Sequence, residues 1–170
     1  LAGLLQGFRC RILGFNRSGR NPDQGRFHRV STDLHRVLSE CDIAFLTLPL
    51  TPDTRGLLGS RELGLLRGKH LVNVARGAII DEAALYHALL SGELAGAGID
   101  AWYQYPDSPT GESLPSEYPF HELSNVVMSP HAASHAVEGK RLQLEGAAEN
   151  IRRYLETGTP GGLVDLERGY

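Results

Sequence analysis

Residues 70–85 read HLVNVARGAIIDEAAL. A buried-looking apolar run, Leu71 to Ala75, ends abruptly in Arg76-Gly77. A second apolar patch follows. Asp81-Glu82 then open a helix over 81–90, with Ala84, Leu85, Ala88 and Leu89 on one face and Ser91-Gly92 as its stop. A charge at the end of a hydrophobic strand is either a surface accident or a site residue, and the rest of the chain has to decide which.

Working outward, the pattern alternates. RILGFN (11–16) reads as a strand and TDLHRVLSE (32–40) as a helix with Ser31 or Thr32 as its N-cap. DIAFLTLP (42–49) is a strand ended by proline; 60–66 is a short helix capped by Ser60; 70–75 is a strand. Strands follow at 97–102 and 125–129, and 132–157 holds one long helix, weakly interrupted by Gly139 and Gly146. Short continuous apolar strands alternating with helices argue for an α/β fold, a parallel sheet with helices on both faces. The stretch 104–123, rich in Pro, Ser and Tyr, is a long loop, a type that is usually functional or mobile.

Composition bounds the function. A chain of 170 residues suffices for a single domain with a proper core. A net charge of -3 argues against nucleic acid as a partner. Cys10 and Cys41 lack metal-ligand spacing and read as reduced thiols of a cytoplasmic protein, with no metal expected. No apolar run approaches the ~18 residues of a membrane span, so no membrane is expected as a partner, and no signal peptide is visible. The first residue is Leu1 rather than Met, which suggests a segment upstream.

In an open parallel sheet, ligands bind beyond the carboxyl ends of the strands. Asn16-Arg17, Pro49-Leu50-Thr51, Arg76, Asp100 and His131 all fall at such ends. Five polar or turn-forming ends on one rim place the site there and make Arg76 a site residue.

Four stretches carry a family. LPLTPDTRGLLG (48–59), LVNVARGAIIDEAAL (71–85), AGAGIDAW (95–102) and NVVMSPH (125–131) strongly resemble the cofactor-binding domain of D-isomer-specific 2-hydroxyacid dehydrogenases, the family of phosphoglycerate, glycerate, glyoxylate/hydroxypyruvate and formate dehydrogenases. The likeness extends to ENIRRYLETG (149–158) and the tail GGLVD. It implies one Rossmann-type dinucleotide-binding domain over 1–170, without the substrate domain. It also implies NAD(P)(H) as cofactor and a small 2-keto or 2-hydroxy acid as substrate, and leaves a homodimer open.

By the same resemblance, Arg76 pairs with the substrate carboxylate and polarises its keto oxygen, a task for a planar guanidinium fork. His131 is the acid–base group. Asp100 faces the nicotinamide carboxamide, Pro49, Thr51, Thr54, Val74 and Ala75 line the cofactor groove, and 131–134, with Ala133 and Ser134, closes over the nicotinamide at a helix start. Thr51 and Thr54 have an alternative reading as caps of the turn TPDT, and Asp100 as a turn-capping carboxylate. Trp102 reads as packing rather than a substrate wall, and His28, His35, His70, His87 and His135 as surface or structural.

Three departures from the family's pattern bear on function. The family carries a glutamate five residues beyond the strand-end aspartate; counting from Asp100 gives Tyr105. That glutamate favours the imidazolium. A neutral tyrosine offers only its hydroxyl to orient the ring, and Glu112, Glu117 or Glu122 are alternative carboxylates. Formate dehydrogenases resemble this case in using a neutral glutamine. The expectation is 2-keto acid reduction that is fastest at mildly acidic pH and falls as His131 deprotonates. Next, NAD-preferring members place a carboxylate after the second strand. Here FNRSGR (15–20) offers Asn16, Arg17, Ser18 and Arg20, which leans to NADP(H). Last, no G-x-G-x-x-G is present; LAGLLQGFRCRILGF (1–15) reads as the tail of the following helix running into the second strand.

In the order 3-2-1-4-5-6 the first strand is central. Segments 11–16 and 70–75 are then expected to lose a shared neighbour or to pair directly. The resulting fold is a Rossmann-type sheet lacking its first strand and Gly-rich turn, with weak cofactor binding and little turnover. The alternatives are a non-catalytic nucleotide-sensing or protein-interaction module on the same fold, and a remnant that folds only with a partner supplying the strand.

Overall fold

The computed structural model describes residues 1–21, 25–108, 111 and 113–166. Among them are the strands β1 (Leu13–Phe15), β2 (Arg29–Ser31), β3 (Ile43–Leu46), β4 (His70–Asn73), β5 (Gly96–Ile99) and β6 (Val126–Met128). The helices are α1 (Ala2–Leu5), α2 (Leu34–Glu40), α3 (Ser60–Gly64), α4 (Glu82–Leu90) and α5 (Val137–Thr157). All pairings are parallel and fall into two sheets, β1-β2 and β3-β4-β5-β6. No described helix is long and apolar enough to cross a membrane.

The helices start where local chemistry satisfies their first amides. Asp33 caps α2 by accepting from the Arg36 N–H at 3.0 Å, and Asp81 caps α4 by accepting from the Ala84 N–H at 2.8 Å. The cap of α2 is thus neither Ser31 nor Thr32, because the Ser31 hydroxyl is taken by the Asp33 N–H. Ser60 is the first residue inside α3, and the Glu62 carboxylate accepts from the Gly59 N–H instead. Helix α5 begins at Val137, five residues later than expected, and passes through Gly139 and Gly146 unbroken.

Pairing in register puts Ala44, Leu71 and Ala97 on the same face as Leu46, Asn73 and Ile99. Helices α2, α3 and α4 cover that face through Leu38, Leu63, Leu85 and Leu89, joined in one core by Leu66 from the turn after α3. On the opposite face Ile43, Phe45 and Val127 are exposed, and α5 buries no residue.

The strand neighbours differ from the expected ones. β4 is hydrogen-bonded on both sides, to β3 and β5, so 70–75 loses no neighbour and does not pair with 11–16. The reason is the crossover through α3, which lays β4 directly beside β3. The strands with one hydrogen-bonded neighbour are β1, β2, β3 and β6. Strand β2 was not legible as a strand, since three residues are too few to show a period. It pairs with β1, and the His28 imidazole extends that pairing by accepting from the Ile12 N–H at 3.0 Å. Both cysteines are free thiols.

Candidate active site

The end of β4 is shaped by an amide in the middle of an apolar run. Asn73 is 1% exposed; its Oδ1 accepts from the Ala75 N–H and its Nδ2 donates to the Arg76 carbonyl, both at 3.0 Å. A buried amide has to find such partners, and here they bend the chain so that Val74 and Arg76 emerge while Ala75 stays buried. The Arg76 guanidinium donates to the Ala75 carbonyl and makes no ion pair among the described residues. Behind it, a Cβ on Gly77 would sit 2.4 Å from the Trp102 carbonyl oxygen, so only glycine lets the arginine turn lie against the 102–103 backbone.

The end of β5 locks onto the end of β6. The Asp100 N–H donates to the Asn73 carbonyl, and the Ser129 N–H to the Ile99 carbonyl. The Asp100 carboxylate is 5% exposed and accepts from the Ser129 hydroxyl at 2.6 Å, the Ala132 N–H at 2.8 Å and the Ala133 N–H at 3.1 Å. Burial pushes this carboxyl up. The bonds from Ser129, Ala133 and Ala132, with the nearby His131, outweigh it and hold the group below its usual range. Asp100 is therefore a turn-capping carboxylate that spends three of about four acceptor positions on the 129–133 loop and keeps one for an outside donor.

That loop puts His131 at φ 55, the one non-glycine residue of positive φ among the described residues. The conformation costs roughly 1–2 kcal/mol, and the three bonds to Asp100 offset it. Trp102 reinforces the loop by donating from Nε1 to the Ser129 carbonyl at 2.8 Å, with its ring edge-on to Phe120. It is packing, as read. The Tyr105 hydroxyl accepts from the Trp102 N–H at 2.9 Å, and the Tyr105 ring lies 5.3 Å from the His131 ring. That bond closes the 102–105 turn through one of the hydroxyl's acceptor positions. Among the described residues His131 forms no ion pair; Glu122 lies 3.9 Å from His121, and Glu117 is exposed. Glu112 lies outside the described residues.

Arg76 and His131 leave the same end of one sheet. Asn73, Ile99 and Met128 form a paired row across it, and Arg76 and His131 lie three positions along the chain past the β4 and β6 members of that row, in the loops that follow. Their strands stand two spacings apart, about 10 Å. Asp100, one position past the row, stands between them.

Two other groups follow strand ends, one in this sheet and one in the β1-β2 pair. In the turn after β3, the Thr54 hydroxyl donates to the Pro49 carbonyl at 2.7 Å and accepts from the Thr51 N–H at 2.8 Å, which makes Thr54 a turn-former beside the buried Thr51. After β1, the Asn16 amide donates to the Arg20 carbonyl at 2.8 Å and the Ser18 hydroxyl to Asn16 Oδ1 at 3.3 Å, with Gly19 at φ 66, so Arg17 sits in a closed turn. Ala133 and Ser134 are exposed in the turn ahead of α5 rather than at a helix start. Asn73 escaped the sequence reading, although an amide amid LVNVA was its available signal. Of the remaining histidines, His35 bonds Glu62 at 2.8 Å and His87 packs edge-on to Tyr118.

In a parallel α/β sheet, polar groups at the carboxyl ends of the strands mark the edge where ligands bind. The sequence profile described as "D-isomer specific 2-hydroxyacid dehydrogenase, NAD binding domain" matches residues 1–133, and the chain belongs to that family. A glyoxylate reductase of Korarchaeum cryptofilum is 35% identical over 163 residues, covering 95% of this chain and 47% of the relative. A D-isomer specific 2-hydroxyacid dehydrogenase of Xanthobacter autotrophicus Py2, solved with NADPH and MES, is 36% identical with a TM-score of 0.78, covering 99% of this chain and 66% of its own. One from Lactobacillus delbrueckii ssp. bulgaricus, solved in an NAD complex, is 27% identical with a TM-score of 0.81, covering 96% and 48%. The chain spans about half the length of the curated relatives it matches.

Proposed function

We propose that this chain is the cofactor-binding part of an NAD(P)-dependent oxidoreductase acting on the CH–OH group of small 2-hydroxy acids, with 2-keto acid reduction as the reverse reaction. The observation that carries this reading is that Arg76, a guanidinium with no carboxylate partner among the described residues, and His131, an imidazole, both follow strands at the same end of one sheet, with Asp100 between them. The Arg76 fork binds the substrate carboxylate and draws electron density from the keto oxygen. His131 gives its proton to that oxygen in reduction and takes it back in oxidation. When bound, the reduced nicotinamide supplies the hydride.

The residues present suit such a cofactor. The spare acceptor position of Asp100 fits a carboxamide N–H, and exposed Val74 offers an apolar surface beside it. Pro49, Thr51, Thr54 and Ala75 border the groove, Asn16, Arg17 and Ser18 take the ribose end, and Ala133 and Ser134 flank the nicotinamide. A basic and hydroxyl-bearing turn with no carboxylate favours NADP(H) over NAD(H). A solved relative with NADPH and another with NAD show that each cofactor occurs in the family.

The test is fluorescence titration with NADPH and NADH, followed by a panel of 2-keto acids including glyoxylate and hydroxypyruvate. Cofactor binding that favours NADPH, with slow turnover abolished by His131→Gln, is the expected result. The second reading, a non-catalytic nucleotide-sensing module, draws on the aromatic ring that stands beside His131 in place of a carboxylate. Cofactor binding without consumption of any keto acid would favour it, and absence of both would sink the two together.

A further inference from the structure

Tyr105 presents His131 with a ring, not an acid. Its hydroxyl accepts from the Trp102 N–H, which closes the 102–105 turn. The face toward the imidazole is aromatic, with ring centroids 5.3 Å apart and planes tilted by 41°. The turn that carries Tyr105 is anchored at Trp102, which is held by the Ser129 carbonyl, by Phe120 and by the close approach of Gly77, while Tyr105 itself is 46% exposed. On the other flank, Asp100 holds the backbone that follows His131 through Ala132 and Ala133. Backbone and ring of His131 are thus fixed by two different residues.

We propose that Tyr105 is a positioning residue for His131 that acts through its aromatic face, in place of an ionic partner. The inference rests on His131 being the acid–base group of the reading above. A ring face attracts an imidazolium through its quadrupole, within the ~6 Å over which such attraction operates. It also packs against a neutral imidazole as an ordinary aromatic pair. The contact therefore persists through both halves of a proton-transfer cycle, whereas a carboxylate favours the charged half.

The experiment is histidine-ring NMR on the 170-residue chain, with the His131 signals assigned by their disappearance in His131→Gln. Ring-current displacement of those signals is expected in the parent chain and in Tyr105→Phe, and its loss in Tyr105→Leu. Where turnover is measurable, Tyr105→Leu lowers kcat by about tenfold or more with KM little changed, since misplacing a reacting group has that scale of effect, and Tyr105→Phe recovers most of the loss. Identical His131 signals in the parent and Tyr105→Leu would overturn the proposal, as would a phenylalanine variant that behaves like the leucine one. Nuclear Overhauser contacts between the two rings in the parent provide a second measurement that needs no variant to fold; their absence also overturns it. Because the NMR readouts need no turnover, an inactive chain would count against the dehydrogenase reading and leave this contact decided separately.

Discussion

At the carboxyl ends of β4, β5 and β6, each loop is bonded to the next: Asn73 to Asp100, Asp100 to Ser129, Trp102 to Ser129, and Gly77 pressed on Trp102. At the ends of β1 and β2, Asn16, Ser18 and Arg20 bond one another, and Ile12 is the single buried hydrophobic residue among the described residues before Leu38. The first region rests on a four-stranded sheet with a packed face, the second on two three-residue strands. On the proposed assignment, the groups that would meet a reacting centre within fractions of an ångström, Arg76 and His131, sit on the braced region. Those proposed for the ribose end, Asn16, Arg17 and Ser18, sit on the lighter one. Four substitutions test this contrast.

His131→Gln has the largest expected effect. It removes the proposed proton donor from the braced rim while leaving the Asp100 bonds to Ala132 and Ala133 in place. Keto acid reduction should fall by about 10²–10⁴-fold, the usual scale for a general acid, with the urea midpoint close to that of the parent. A residual rate within threefold of the parent would remove His131 from the chemistry.

Gly77→Ala tests the brace itself. The added Cβ meets backbone atoms of Trp102 at 2.4 and 2.6 Å, which cannot swing aside as a side chain would. Overpacking of this kind costs about 3 kcal/mol, visible as a lower urea midpoint, and it displaces Arg76 with it. An unchanged midpoint would show that the rim yields easily and that the contrast with β1-β2 is overstated.

Much of this was legible in the letters, for identifiable reasons. Apolar runs punctuated by Pro49, Gly68 and Gly92 mark where strands and helices stop, so the α/β alternation and the rim positions of Arg76, Asp100 and His131 could be read. Direction was harder. The inward aim of Asp100 depends on Ser129, Ala132 and Ala133, about thirty residues away in sequence, and that of the Tyr105 hydroxyl depends on how Trp102 is seated. Neither leaves a periodic trace. The neighbours of β4 were misassigned because strand order is set by crossovers rather than by any one strand's composition.

Asp100→Asn loosens the rim by a smaller step. An asparagine keeps one acceptor oxygen and turns an amide toward groups that are themselves donors. The loss should be about 2 kcal/mol, typical of a charged hydrogen-bond acceptor removed from buried partners. The sign with pH follows from the lowered carboxyl. Its contribution is complete above the ordinary aspartate range near pH ~4 and is lost as pH falls through the depressed folded value. Urea midpoints should therefore drop on the acid side in the parent chain and drop less steeply in Asp100→Asn. Parallel curves would mean that Asp100 does not brace the loop.

Arg17→Asp addresses the lighter region and should move the least. The turn that carries Arg17 is closed by Asn16, Ser18 and Arg20, so the backbone should keep its course when the side chain changes. What changes is the sign of the charge at the position proposed for the ribose end. A carboxylate repels a 2′-phosphate and accepts from a 2′-hydroxyl, so the ratio of NADPH to NADH affinity should fall by about tenfold, equivalent to ~1.4 kcal/mol, with stability unaltered. If the ratio holds while both affinities fall together, the turn binds no ribose substituent and is a solvated surface. If the midpoint falls as well, β1-β2 depends on Arg17 for its structure, and the division between a braced rim and a lightly built cofactor end would have to be redrawn.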